Sequence, residues 1–384
     1  MNILIAPDSF KETMNAKEVC KHISIGLKKV LKNVSIISVP MADGGEGTVQ
    51  ALVDSCGGKI IKTEVLDPLQ REIESYYGIL NDNTAVIEMA TASGLELLGE
   101  NEKNPMQTTS YGFGQLIEDA LNKGVKKFIL GLGGSATNDA GIGMLQALGV
   151  KFYDCNNKEV EIGAQFLNQI VSFDTTNLNI KFKDVKIEVA CDVKNILCGT
   201  TGASYTFAKQ KGGDLKMIKT LDEYLFNFST ICKKIYKIDN KNIKGAGAAG
   251  GLGFALITFL NAELKSGIEI VIKKTNLEEK IKATNLIITG EGKMDSQTIF
   301  GKTPIGVAKL AKKYNKKVIA IVGCLDKGYE TVYEHGIDAV FDITPINSSF
   351  DELKKESKKN LELTSFNIAK CLELDLKTID SFSN

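Results

Sequence analysis

The chain has 384 residues, 43% hydrophobic and 24% charged, with 47 basic against 47 acidic side chains. That length suits two domains that each bury a core, and zero net charge gives no long-range field to attract nucleic acid or an anionic membrane. Thirty-six glycines without a period of three, and six prolines, exclude collagen and proline-rich disorder and place the glycines in turns and ligand loops.

The start, MNILIAPDSF, runs straight into a short strand over Ile3–Ala6, with no basic leader and no long apolar segment. Eight cysteines are scattered without a CxxC pair or zinc spacing, so reduced thiols and a cytoplasmic location are expected. Asn15 with Glu18 predicts a capping box, and Val19, Ile23, Leu27 and Val30 recur at helical spacing behind it. A second strand over Val34–Val39 leads to MADGGEGT, which opens a second helix. Glu74–Leu80 and Thr84–Met89 are close enough to pair as a hairpin.

Strands alternating with helices return near the end, at Leu286–Thr289, Val318–Val322 and Ala339–Ile343, with helices around Gly306–Lys313 and Tyr329–Glu334. The Lys/Glu run from Asp351 to Glu362 reads as a solvated helix face starting at Ser349 and Glu352. The fold class expected is α/β. A doubly wound, mainly parallel-sheet domain (residues 1–68 and 283–384) carries a second α/β domain (69–282) inserted into it.

Three glycine-rich stretches follow apolar runs. In GLGGSATNDAGIG (131–143), Gly133 and Gly134 allow close approach and Ser135, Thr137 and Asn138 add neutral hydrogen-bonding groups, which suits a phosphate or carboxylate cradle. GAGAAGGLG (245–253) suits close helix packing equally well. TGEGKMDSQTIFGKTP (289–304) supplies Glu291, Asp295, Lys302 and Thr303. Its carboxylates at a strand's end suit Mg²⁺, and its lysine suits phosphate.

Ready-made motifs fail: Ser296 stands where a Walker A loop needs glycine, and Thr137 breaks a G-x-S-x-G elbow. No GxGxxG follows the first strand, and HRD and DFG are missing. His22 and His335 read as surface residues, so acid–base work falls to carboxylates or lysines at strand ends. Asp8 and Lys11 follow the first strand, Asp43 and Glu46 the second, and Asp192 the strand Lys186–Cys191. Arginine occurs once, as Arg71 among 46 lysines. It alone can make a planar two-bond grip on a carboxylate.

Together APDSFK (6–11), PMADGGEGT (40–48), DPLQR (67–71), GLGGSATNDAGIG (131–143), CDVKN (191–195) and TGEGKMDSQTIFGKTPIGVA (289–308) resemble the bacterial glycerate kinase family, type I. The match keeps the motif order from first strand to last. Glu12 and Thr13 stand where the family usually has glycine and serine, Ile196 where it has proline, and its FGPQKG appears as Phe207-Ala208-Lys209-Gln210-Lys211-Gly212. The resemblance implies ATP-dependent phosphorylation of D-glycerate, commonly to 2-phosphoglycerate. It also implies two α/β domains with the site in the cleft between them.

On that basis Lys11, Asp43, Asp192 and Asp295 are the expected catalytic residues, the three aspartates serving as base or Mg²⁺ ligands, base not separated from ligand. Asp8, Ser9, Arg71, Gly133, Gly134, Ser135, Thr137, Asn138, Asp139, Asn195, Glu291 and Lys302 are the expected substrate or phosphate contacts. The implied cofactors are ATP and Mg²⁺ and the implied partner a small molecule, with monomer or homodimer left open. The alternatives are a kinase for another small hydroxy acid, or a non-catalytic carboxylate-binding protein.

Overall fold

The computed structural model describes residues 1–344 and 350–381. Ser349 therefore lies outside the described residues. In chain order the strands are β1 (Asn2–Ile5), β2 (Ser35–Ser38), β3 (Gly58–Leu66), β4 (Glu72–Leu80), β5 (Thr84–Glu88), β6 (Lys127–Gly131), β7 (Lys151–Tyr153) and β8 (Ser172–Asp174). They continue with β9 (Lys186–Ala190), β10 (Glu263–Lys265), β11 (Leu286–Thr289), β12 (Lys293–Met294), β13 (Lys317–Val322), β14 (Cys324–Leu325) and β15 (Ala339–Asp342). The chain divides into two compact units. The first comprises Met1–Asp43, Gln50–Gly57 and Ile268–Asn384; the second comprises Gly44–Val49 and Gly58–Gly267.

The first unit holds a five-stranded sheet in the order β15-β13-β11-β1-β2, every pair parallel. A parallel sheet must be covered on both faces, which is why β1 and β11 are nearly unbroken runs of Ile and Leu, buried except at Asn2. The helix Ala16–Lys28 opens with the expected Asn15/Glu18 capping box and buries Val19, Ile23 and Leu27. The helix Phe350–Ser381 packs against it, and Gly26 sets the approach. A Cβ there would lie 2.3 Å from the Glu362 carbonyl oxygen. In the same interface His22 Nδ1 lies 2.8 Å from Glu362 Oε1, so that ring is tied down rather than merely on the surface.

The winding of this sheet defines its ligand edge. From β1 the chain moves to one side, to β2; from β11 it moves to the other, to β13 and β15. The reversal between β1 and β11 opens a crevice at their carboxyl ends, where open α/β sheets bind ligands.

The second unit holds a six-stranded sheet in the order β10-β9-β6-β5-β4-β3. β5, β6, β9 and β10 are parallel; β4 pairs antiparallel to both β5 and β3. The hairpin expected at 74–89 is present, with Gly78 opposite Val86 and Ile79 opposite Ala85. β3 has no counterpart among the strands expected from the sequence, and residues 58–68, expected in the first domain, lie in the second unit. It pairs with β4 along its whole length, from Gly58 opposite Leu80 to Leu66 opposite Glu72. Residues 268–282, expected in the inserted domain, lie in the first unit. The second unit's core includes Phe152, Phe228 and Phe259, whose rings meet edge-on or stacked. Among the described residues no helix is long and apolar enough to cross a membrane, and all eight cysteines are free thiols.

Candidate active site residues

In the first unit the loops after β1 and β11 converge at the crevice. The Asp8 backbone N–H donates to the Gly290 carbonyl at 2.9 Å, which fixes the two loops to each other. Asp8 Oδ2 accepts from the Thr303 hydroxyl at 2.6 Å, and Oδ1 accepts from the Ser9 N–H at 2.6 Å and the Ser9 hydroxyl at 3.3 Å. Burial, then the nearby Asp43 charge, push the Asp8 carboxyl up to about 7; Glu291 adds a smaller push, and the Thr303 and Ser9 hydrogen bonds oppose it. Thr303 is the first residue of the helix Thr303–Lys313, with Pro304 in its first turn.

Glu291 is buried in the loop after β11. Its Oε1 accepts from the Thr298 hydroxyl at 2.6 Å, and its Oε2 lies 3.1 Å from the Lys302 ammonium. Burial raises its pKa, against the pull of Thr298 and Lys302. Asp295 Oδ1 stands 3.7 Å from the same ammonium and accepts from the Gln297 N–H. Lys11 is exposed on the loop after β1, beside Gly292, whose added Cβ would lie 3.2 Å from the Lys11 backbone nitrogen. This unit therefore gathers Asp8, Ser9, Lys11, Asp43, Glu291, Asp295 and Lys302, all named from the sequence.

In the second unit the parallel strands place Glu88, the 131–143 loop and Asp192 at one carboxyl edge. Gly134 adopts a left-handed φ of 71°, and its carbonyl accepts from the Leu95 N–H at 2.8 Å, which bends the loop sharply after Gly133. Asp139 is wholly buried. Its oxygens accept from the Ser110 N–H and hydroxyl and from the N–H groups of Gly141 and Gly143, so it braces the loop from within. Burial raises its pKa despite these bonds. Thr137 Oγ1 and Asn138 Oδ1 are buried without a hydrogen-bond partner among the described residues, while Asn138 Nδ2 donates to Ser204. The 245–253 stretch proves to be packing. A Cβ on Gly250 would stand 2.1 Å from the Thr137 carbonyl oxygen, so it backs the 131–143 loop.

Three expectations change. Arg71 faces carboxylates of its own unit: Nε donates to buried Asp67 at 2.5 Å, and Nη1 to Glu102 at 2.6 Å. Asp67 Oδ1 also accepts from the N–H groups of Leu69 and Arg71, so DPLQR is a cross-braced turn joining β3 to β4. The planar grip exists, but the side chains it holds stand where the substrate carboxylate was expected. Arg71→Lys should therefore leave both substrate KM values nearly unchanged and lower Tm, because one ammonium cannot span Asp67 and Glu102. The loss should be small, because the guanidinium is half in solvent. A tenfold rise in the KM of the expected carboxylate substrate would restore Arg71 to that role.

Asn195 is a brace, its Nδ2 donating to the Thr201 carbonyl and the Thr206 hydroxyl while its own carbonyl accepts from Gly245 and Gly247. Asp43 and Asp295 belong to the first unit and Asp192 to the second, and among the described residues no three or more His, Cys, Asp or Glu are placed to hold a metal ion. Asp192 is exposed after β9 and accepts from the Gly267 N–H at 3.3 Å.

Two residues went unnoticed as site residues in the sequence. Glu88 ends β5 and is buried, accepting from the Val49 N–H at 2.6 Å and the Gly47 N–H at 3.2 Å. Burial pushes it up to about 7. Lys211, 1% exposed, donates from Nζ to Ser135 Oγ and to the Thr137 carbonyl, each at 2.7 Å. Burial drives its pKa down to about 7, with Asp139 opposing. A strand-end carboxylate was the available signal for Glu88; for Lys211 it was the FGPQKG counterpart. A cavity of about 490 Å³ lined by Cys198, Asp222, Phe226 and Lys241 contains none of these residues.

Charged and glycine-rich loops at the carboxyl edges of parallel sheets define the class as an α/β enzyme of small molecules. The sequence profile of the Glycerate kinase family matches residues 3–373. The chain is 48% identical over 373 residues to a glycerate kinase of Haemophilus influenzae, covering 97% of this chain and 99% of the relative. It is 47% identical to the glycerate 2-kinase of Escherichia coli K12, covering 98% and 99%. The crystal structure of a Salmonella typhimurium LT2 protein, described as a candidate glycerate kinase 2, superposes with a TM-score of 0.90 at 42% identity, covering 98% and 99%. The chain belongs to the glycerate kinase family, a family of phosphotransferases.

Proposed function

We propose that this chain is a type I member that transfers the γ-phosphoryl group of ATP to the 2-hydroxyl of D-glycerate, giving 2-phosphoglycerate. Family membership supports the substrate, and the name of the Escherichia coli relative supports the position. The single observation that carries the chemistry is the Asp8–Glu291–Lys302 cluster at the reversal point of the first unit's sheet.

Phosphoryl transfer asks a protein for position and charge more than for covalent work. Asp8 suits the base: it is half-buried, its affinity for a proton is raised toward neutrality, and Ser9 and Thr303 hold its carboxylate in one orientation. Lys302 is held ready by Glu291 and can turn its charge to a phosphate; exposed Lys11 supplies a second cation. The loop of Gly133, Gly134, Ser135, Thr137 and Asn138 serves as the anion cradle of the second unit, with Asp139 as its internal brace. Asp192 stays a proposed catalytic group through its place after β9.

Mg²⁺ suits hard carboxylate oxygens, and the mutual repulsion of Asp8, Asp43 and Glu291 is what a bound cation relieves. Asp43 and Asp295 would hold it. When bound it supplies neutralisation of phosphate charge, and Mg²⁺ commonly takes only one or two carboxylates beside phosphates and waters.

ADP release coupled to a dehydrogenase, with the product identified by phosphorus NMR, tests this reading. Turnover with D-glycerate but not with glycerol, and a phosphate on C2, is the expected result. Turnover only with another hydroxy acid would move the assignment within the kinases. Binding without turnover would make this a carboxylate-binding protein.

A further inference from the structure

A fully buried ammonium needs an account. Lys211 lies on a 3₁₀ turn, Lys209–Lys211, closed by Gly212 in a left-handed conformation, where a Cβ would stand 2.1 Å from the Lys103 carbonyl oxygen. The turn's backbone is therefore pinned against Lys103. Among the described residues it makes no ion pair. Asp139, the charged group that acts on it, has its oxygens engaged by Ser110, Gly141 and Gly143. A buried charge supported only by a hydroxyl and a carbonyl is costly, so stability alone gives little reason for a lysine here.

Proton accounting supplies a reason. Thr137 O can only accept, so one Lys211 N–H goes there. A second N–H goes to Ser135 Oγ, which makes that oxygen an acceptor and leaves its own hydroxyl proton to donate elsewhere. Among the described residues no acceptor takes that proton. Ser135 sits at the edge of burial, 9% exposed, in the loop whose Thr137 Oγ1 and Asn138 Oδ1 also lack partners.

We propose that Lys211 is a positioning residue whose Nζ, by donating to Ser135 Oγ, aims the Ser135 hydroxyl proton at an anionic oxygen of a bound substrate, a carboxylate or a phosphate. The proposal rests on the reading of 131–139 as an anion cradle. Lys211 itself stays out of contact with the ligand. It adds positive charge behind the loop and fixes the direction of one hydrogen bond, and a charge-assisted bond is stronger than a neutral one.

The test compares Ser135→Ala, Lys211→Met and the double variant through KM for glycerate and for ATP between pH 6 and 8. Each single variant should raise one of the two KM values about tenfold, or about 1.4 kcal/mol, and leave the other nearly constant. The KM that moves identifies the anion as carboxylate or phosphate. The double variant should be no worse than the worse single, because both changes remove the same bond.

In the parent that KM should rise as the pH passes about 7 and Lys211 loses its charge, and this rise should vanish in Ser135→Ala and in Lys211→Met. If Ser135→Ala raises a KM but Lys211→Met does not, the cradle stands and the positioning role falls. If Ser135→Ala changes neither KM, the cradle itself falls and the proposal with it. Additive effects in the double variant also overturn it. Should Lys211→Met fail to fold, the parent and Ser135→Ala profiles decide alone: a pH-dependent rise that persists without the hydroxyl refutes the proposal.

Discussion

Asp8→Asn is expected to lower kcat by 10²- to 10⁴-fold, about 3–5 kcal/mol of barrier, while the protein stays folded and KM for ATP changes little. The proposed role needs an oxygen that takes the substrate hydroxyl proton, and an amide cannot take it. Shape and the Thr303 contact survive, since the asparagine Oδ1 can still accept that 2.6 Å bond. Folding should not suffer. Burial and the Asp43 charge already disfavour the Asp8 anion, so a neutral side chain of equal size removes a repulsion as well as a bond. Steady-state kinetics beside a thermal melt check this. A kcat within a few-fold of the parent would transfer the base role to Asp43 or Asp192.

The first unit was legible because each of its signals is local. β1, β11 and β13 are continuous apolar runs, and the structure moves their expected edges by a residue at most. The Asn15/Glu18 box caps its helix as read. Since a strand's carboxyl end is also where ligands collect, the same reading that located β1 and β11 pointed to Asp8, Glu291, Asp295 and Lys302.

What was not legible depends on pairing across the chain. In β3 the residues Lys59, Lys62 and Glu64 mix with Ile60, Ile61 and Val65, and much of the strand is exposed. Only the partner β4 makes it a strand. Arg71 shows the same limit in chemistry. Its rarity in the composition was visible, but Glu102, thirty-one residues further on, decides what the guanidinium holds. Lys211 was one lysine among 46 until folding buried it behind Ser135.

Glu88 gives the second unit a pH dependence of folding below neutrality. It closes the N–H groups of Gly47 and Val49, the kind of exposed donors that elsewhere bind phosphate, so an internal carboxylate already fills that position. Burial is the largest influence on it and raises its pKa from 4.5 to about 7, with the Glu46 charge adding to the rise and the backbone bonds opposing it. Because the folded value is raised, the native state holds this proton more tightly than the unfolded chain. The resulting stability is fully present below about pH 4.5 and is lost as the pH rises through 7. Two and a half pH units at 1.36 kcal/mol each set the size at about 3 kcal/mol. Lys211 acts in the opposite sense: its lowered pKa penalises the fold fully below pH 7, and that penalty is relieved as the pH rises from 7 toward 10.5. Asp8 acts in the same sense as Glu88. The comparison must therefore be between parent and Glu88→Gln under matched conditions. Urea unfolding at pH 5 and pH 8 should show the parent losing about 2.5 kcal/mol more across that range than the variant does, since part of the effect is already spent at pH 5. At pH 5 the variant should be the less stable of the two, because a glutamine has one acceptor for two N–H donors. Equal losses across the range would mean that Glu88 stays ionised in the folded protein, held by the Gly47 and Val49 N–H groups against its burial.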